Sequence, residues 1–154
     1  MTDYKIAKLR CPVVLTLTDG QELRGDVFVQ PVSRFRPEPQ GAADFLNEDD
    51  PYFALVQASP NPALLIAKDS VRRAEAPLPE GDDTLEFPRV GMNVEITMLG
   101  GEVCTGSLFP DMRAERARLL DFLNSYTYRF LAIFDPHKVT LVHRQAIAHA
   151  REID

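Results

Sequence analysis

The chain has 154 residues, 45% of them hydrophobic and 26% charged, with a formal net charge of −6, the balance of a globular protein. Both halves are acidic, which excludes the basic excess that marks a binder of phosphate backbones. Apolar runs such as Ala63-Leu64-Leu65-Ile66-Ala67 are far too short to span a bilayer, and two cysteines, Cys11 and Cys104, make no disulfide framework or metal pair and read as small buried hydrophobes.

The start, Met1-Thr2-Asp3-Tyr4-Lys5-Ile6, carries neither the apolar stretch nor the small-residue cleavage site of a secretory signal, so a cytoplasmic location is expected. Val13, Leu15 and Leu17 then alternate with other residues at the period of a half-buried strand. Asp19-Gly20 marks a hairpin turn, because glycine adopts positive φ at little steric cost. The returning strand, residues 22–29, puts Leu23, Gly25 and Val27 in one phase. A glycine on the inward phase predicts a bend or a close backbone approach.

A proline-rich connection over residues 31–39 leads to Asp44-Phe45-Leu46-Asn47, read as a short helical turn that Asp44 starts and Asn47 caps. Strands follow over residues 52–57 and 64–68, separated by the turn Ser59-Pro60-Asn61-Pro62. A short turn at Asp69-Ser70 precedes a fifth strand ending near Ala74. The proline, glycine and acidic residues after Ala76 set a linker at residues 79–89, between a first unit at residues 1–78 and a second at residues 90–154.

The second unit repeats the first. Val94, Ile96 and Met98 take the phase of Val13, Leu15 and Leu17, and Gly101, Gly106 and Phe109 fall on Gly20, Gly25 and Phe28. Asp121-Phe122-Leu123-Asn124 is identical to Asp44-Phe45-Leu46-Asn47, and Phe130-Leu131-Ala132-Ile133 falls on Phe53-Ala54-Leu55-Val56. Thr140-Leu141-Val142-His143-Arg144 matches Leu64-Leu65-Ile66-Ala67-Lys68, and Gln145-Ala146-Ile147-Ala148-His149-Ala150 matches the fifth strand. Residues 111–120, rich in helix formers, replace the proline-rich connection. The fold class expected is mainly β: two tandem five-stranded antiparallel small barrels, Sm-like or SH3-like, with short helical insertions.

The segment Val13-x-Leu15-x-Leu17-x-Asp19-Gly20-x-x-Leu23-x-Gly25-x-Val27 resembles the first signature of Sm-like proteins. Val142-His143-Arg144-Gln145-Ala146-Ile147 is similar to the terminal strand-turn-strand of the bacterial Sm-like RNA chaperone. The resemblance covers about half of each unit. It implies an N-terminal helical segment at residues 3–10, a strongly bent five-stranded barrel, and edge-to-edge assembly through free fourth and fifth strands. The family's RNA-contacting aspartate and asparagine are not recognisable after Phe28 or Phe109, and its basic signature is replaced by Lys68-Asp69 and Arg144-Gln145.

No nucleophile and base, phosphate loop or zinc-ligand spacing occurs, and His137, His143 and His149 lie on different expected elements. The expectation is therefore no enzyme, no cofactor and no metal. Arg113, Arg116, Arg118 and Arg129 form the densest basic group and, with Arg144, are candidates to bind a partner or an anion. A solvated helix face part-neutralised by Glu115 and Asp121 accounts for most of the same residues. Asp44, Asn47, Asp121 and Asn124 are retained polar positions that helix caps explain, and Gly25 and Gly106 belong to the repeated strand motif. The expected function is a non-catalytic interaction or assembly module, contacting another protein or a second copy through strand edges, with no membrane partner. The alternative is an Sm-like RNA binder using Lys68, Arg72, Arg73, Arg144 and the arginines of residues 113–118.

Overall fold

The computed structural model describes residues 9–29, 41–58, 63–78, 91–109 and 118–153. Ten strands and two short helices follow in order: β1 (Leu9–Leu17), β2 (Glu22–Val29), α1 (Ala42–Leu46), β3 (Tyr52–Leu55), β4 (Leu64–Ala67), β5 (Val71–Pro77), β6 (Met92–Met98), β7 (Val103–Leu108), α2 (Leu119–Ser125), β8 (Phe130–Phe134), β9 (Lys138–His143) and β10 (Ile147–Glu152). Single 3₁₀ turns, Lys68–Ser70 and Arg144–Ala146, join β4 to β5 and β9 to β10. The protein is mainly β. Among the described residues no helix is long and apolar enough to cross a membrane.

The alternating phases become the buried faces. Met92, Val94, Ile96 and Met98 are all buried along β6, as are Val13 and Leu15 on β1. Both hairpins turn on a glycine in the left-handed region, Gly20 at φ 91° and Gly101 at φ 93°. Gly20 donates its amide to Leu17 O and Gly101 to Met98 O, so the same tight turn closes β1–β2 and β6–β7.

Gly25 and Gly106 sit at close approaches of successive strands. A Cβ on Gly25 would lie 2.6 Å from Val56 O and 2.9 Å from Leu55 Cγ. One on Gly106 would meet Ile133 Cγ2 and lie 2.8 Å from Phe134 O. Only a residue without a side chain lets β2 cross β3, and β7 cross β8, at this separation.

The strands run β10-β6-β7-β8-β9-β5-β1-β2 in one eight-stranded sheet, with β3-β4 as a separate pair. An isolated bridge, Asp26 to Val56, links β2 to β3. The first half therefore reads β5-β1-β2-β3-β4 and the second β10-β6-β7-β8-β9, the same order twice. Neither sheet closes on itself, so the expected pair of closed barrels is not what the pairing forms. Instead β5 of the first half pairs antiparallel with β9 of the second, from Arg73 opposite Val142 to Pro77 opposite Lys138. Strands that each barrel would need for its own closure are spent on one seam.

Core packing follows the seam. Phe130, Val139 and Leu141, from β8 and β9, belong to the apolar cluster of the first half, with Leu15, Val71 and Ala74. The second cluster gathers β6, β7 and α2 around Ile96, Met98 and Ile133. A fully buried leucine contributes roughly 1.5–3 kcal/mol over an exposed one, so the three seam residues tie the halves together strongly.

Several local expectations change. Leu9 and Arg10 open β1, opposite Val29 and Phe28, rather than ending a helix, and residues 1–8 lie outside the described residues. So do the proline-rich segment, the linker at residues 79–89, and residues 110–117, where most of the second insertion was expected. Asp44 and Asp121 lie within the first turns of α1 and α2, whose N-caps are Gly41 and Arg118. Asn47 is the C-cap of α1, whereas Asn124 lies inside α2, which runs on to Ser125. The third strand is displaced by one residue from the sequence match. Ile66 faces Phe53, and its counterpart Val142 faces Leu131 rather than Phe130. The longer α2 adds the extra residue before β8.

Candidate functional site

The seam is also where polar side chains from the two halves converge. Asn47, at the end of α1, uses both ends of its amide on the first residue of β8: Nδ2 donates to Phe130 O at 3.0 Å, and Oδ1 accepts from Phe130 N at 2.7 Å. Tyr126 adds its hydroxyl to the same carbonyl at 2.5 Å, and burial pushes this phenol up to about 12. Asp69, on the 3₁₀ turn before β5, is ion-paired with Arg129 Nε at 3.1 Å and lies 3.0 Å from His143 Nε2.

The tautomer of His143 follows from its other nitrogen. Nδ1 accepts from the amide of Gln145 at 3.1 Å, so Nε2 carries the proton and donates to Asp69. That hydrogen bond outweighs the opposing effect of burial and, with the smaller help of the Arg129 charge, holds the Asp69 carboxyl below its ordinary range. Lys68 is buried and donates to Glu48 O at 2.8 Å. Burial first, then Arg129, lowers its pKa. At the same end of the seam Glu102, from the β6–β7 hairpin, pairs with Arg72 Nε at 2.6 Å and Arg73 Nη1 at 2.9 Å, and toward the other end Lys138 pairs with Glu75.

A cleft of about 300 Å³ opens over this junction, lined by Glu48, Asp49, Asp69, Arg129, His143 and Arg144 among others. Its charges are of both signs. Two of the five candidate arginines meet here: Arg129 paired to Asp69, and Arg144, which donates to Tyr126 O at 2.6 Å. Arg118 is exposed at the start of α2, away from the cleft lining, and Arg113 and Arg116 lie outside the described residues. The basic group read along the chain is therefore not brought together by the described structure. Of the RNA-reading candidates, Lys68 donates to Glu48 O, and Arg72 and Arg73 are ion-paired with Glu102 while their Nε atoms are buried without a hydrogen-bond partner among the described residues.

His137, His143 and His149 do not converge with other ligands, and no group of three or more His, Cys, Asp or Glu side chains forms a metal site among the described residues. Ser107 donates to Asn93 Oδ1 at 2.9 Å, which is an acceptor and no base. The thiol of Cys11 is pushed up by burial and by Asp26, which makes it a poor nucleophile.

Among the described residues, two strand edges have no pairing partner. β4 and β10 stand at opposite ends of the strand order. On the β4 hairpin Tyr52, Leu64 and Leu65 are exposed large hydrophobic residues. Sequence reading missed the roles of Asn47, Asp69 and Glu102 as seam residues, although the duplicated Asp-Phe-Leu-Asn already singled out Asn47. Comparisons with protein-family models, curated proteins and solved structures find no match.

Proposed function

We propose that this chain is a non-catalytic interaction and assembly module, built from two Sm-like small-barrel units and working through the edges of its strands. One observation carries the reading: β5 and β9, a fifth-strand edge and a fourth-strand edge, pair within the chain, while the corresponding edges of β10 and β4 are paired by no other described strand. Open edges present unpaired amides and carbonyls to any extended strand. Exposed Leu64 and Leu65 add apolar surface beside them. The seam cleft has charges of both signs and no nucleophile with a base, which favours docking over chemistry.

The competing RNA-binding reading needs cations converging on a face with bases to stack. Lys68, Arg72, Arg73 and Arg129 are engaged by Glu48, Glu102 and Asp69, which leaves little charge for phosphates. Photoreactive residues placed at positions 65 and 152, with position 99 on the exposed β6–β7 turn as control, test the reading in native cells. Protein adducts are expected from the two edge positions and not from the control. RNA adducts alone, or equal yields from all three positions, would overturn it. Tight binding of short RNAs at physiological salt, read by fluorescence anisotropy, would favour the competitor.

A further inference from the structure

Independently of strand-edge docking, we infer that the first half carries a binding site for a small amphipathic carboxylate, in a cleft that two prolines hold open between β1 and β5. The halves differ here by one hydrogen bond. In the second half the ladder of β6 and β10 runs on past Glu95 opposite Arg151, because Ile153 N donates to Asn93 O at 2.8 Å. In the first half Val13 faces Gly25 as Val94 faces Gly106, and Val14 faces Glu75 as Glu95 faces Arg151. The next step therefore falls on Pro12 and Pro77.

The backbone phase shows what is lost there. Asp26 exchanges both backbone hydrogen bonds with Val56, at 2.8 Å and 2.9 Å, so Gly25 and Val27 turn toward β1, and by alternation Pro12 turns its carbonyl toward β5. Pro77 stands where the amide of Ile153 stands in the second half, and it has no amide to give. The pairing of β1 with β5 accordingly starts at Val14, and among the described strands Leu9 to Val13 pair with β2 alone.

The space left is a cleft of about 620 Å³, a size that suits a small ligand. Pro12, Val14, Val56, Ala58, Ala76 and Pro77 give it an apolar lining. Its charged residues are Arg10, Arg24 and Lys138 against Asp26 and Glu75, an excess of one cation on a chain whose net charge is −6. Both carboxylates are already neutralised: Asp26 by Arg10 at 3.1 Å, and Glu75 by Lys138. Their side chains are only 28% and 29% exposed, deeper than the cations that cover them. Arg24 is the cation left over. It pairs with Glu22, which does not line the cleft, and with 72% and 52% of the two side chains exposed that pair is weak competition. The guanidinium of Arg24 can take a ligand carboxylate in two parallel hydrogen bonds, while the ligand's apolar body covers the proline-lined floor. A ligand cation would meet the exposed arginines and lysine first.

Titration calorimetry of the purified full chain with decanoate and with naphthoate tests this. Decylammonium keeps the chain and reverses the charge, and acetate keeps the charge without the chain. At least one of the two apolar carboxylates is expected to bind saturably, one per chain, and neither control to do so. Pro77→Ile restores the residue that the second half uses. Hydrogen exchange at its new amide should be as slow as at Ile153, and carboxylate affinity should fall by about tenfold or more as the ladder closes. Arg24→Glu, at an exposed position, should weaken binding by about tenfold or more while the denaturation midpoint stays in place. Saturable binding of neither carboxylate, decylammonium binding as tightly as decanoate, or unchanged affinity in both variants overturns the inference.

Discussion

At Gly106 the second strand passes so close to the third that a methyl group has no room between Ile133 and the carbonyl of Phe134. Gly106→Ala, and likewise Gly25→Ala against Val56 O, should lower stability by about 1–3 kcal/mol through overpacking, measured by chemical denaturation; wild-type midpoints for both would refute the close approach. Asn47→Ala should cost about 1–3 kcal/mol because it strands the amide of Phe130 and leaves its carbonyl to Tyr126 alone. Asn124→Ala, at an exposed position whose side chain bonds no described residue, should leave the midpoint unchanged, so two asparagines identical in sequence context separate by what they touch. Asp69 gives a pH signature of defined sign. Its folded pKa lies below the ordinary carboxylate value, so its contribution is complete above the unfolded pKa of about 3.9 and is lost as pH falls through the depressed value. The carboxylate is 70% exposed, which limits the effect to under about 1 kcal/mol. Stability measured between pH 6 and pH 3, values chosen roughly to bracket that range, should fall less steeply for Asp69→Asn; an unchanged slope would show that the His143 and Arg129 contacts do not matter.

Among the elements, the hairpins were legible because their cause is local. Asp19-Gly20 and Gly100-Gly101 need only positive φ at the second glycine position, and the phase of Val94, Ile96 and Met98 needs only one buried face. The register of β8 was not legible. Phe130 invites alignment with Phe53, yet both are buried for different reasons: Phe53 faces Ile66 within its own unit, whereas Phe130 packs into the core of the first half. The helices were misplaced at their starts because Asp44 and Asp121 resemble N-caps, while the extended residues before the helices are Gly41 and Arg118. The phase of β4, fixed where Lys68 N donates to Pro51 O at 2.8 Å, makes an element-scale prediction that sequence cannot: Leu65→Pro should fold with a near-native midpoint, whereas Ile66→Pro, whose amide faces β3, should be destabilised by about 3 kcal/mol. Equal losses for the two would mean that the phase is assigned the wrong way round.

Over the whole molecule, periodicity says which face of each strand is buried but not which edges meet. On that point the pair of closed barrels expected from sequence is not formed, and Arg129 and Arg144 serve the seam, while Arg113 and Arg116 lie outside the described residues. The seam makes the halves interdependent. Each is near the size at which one core barely sustains a fold, and the first core is completed by Phe130, Val139 and Leu141 from the second half. Separating the chain in its linker would expose these residues on one fragment and Val71 and Ala74 on the other. The full chain should therefore unfold in one cooperative transition, with probes in either half giving coincident curves. Leu141→Ala should lower that single midpoint by about 2–5 kcal/mol for both halves together, although the residue belongs by sequence to the second. Two resolved transitions in wild type, or a Leu141→Ala loss confined to probes in residues 91–153, would mean that β5 and β9 touch without sharing a core.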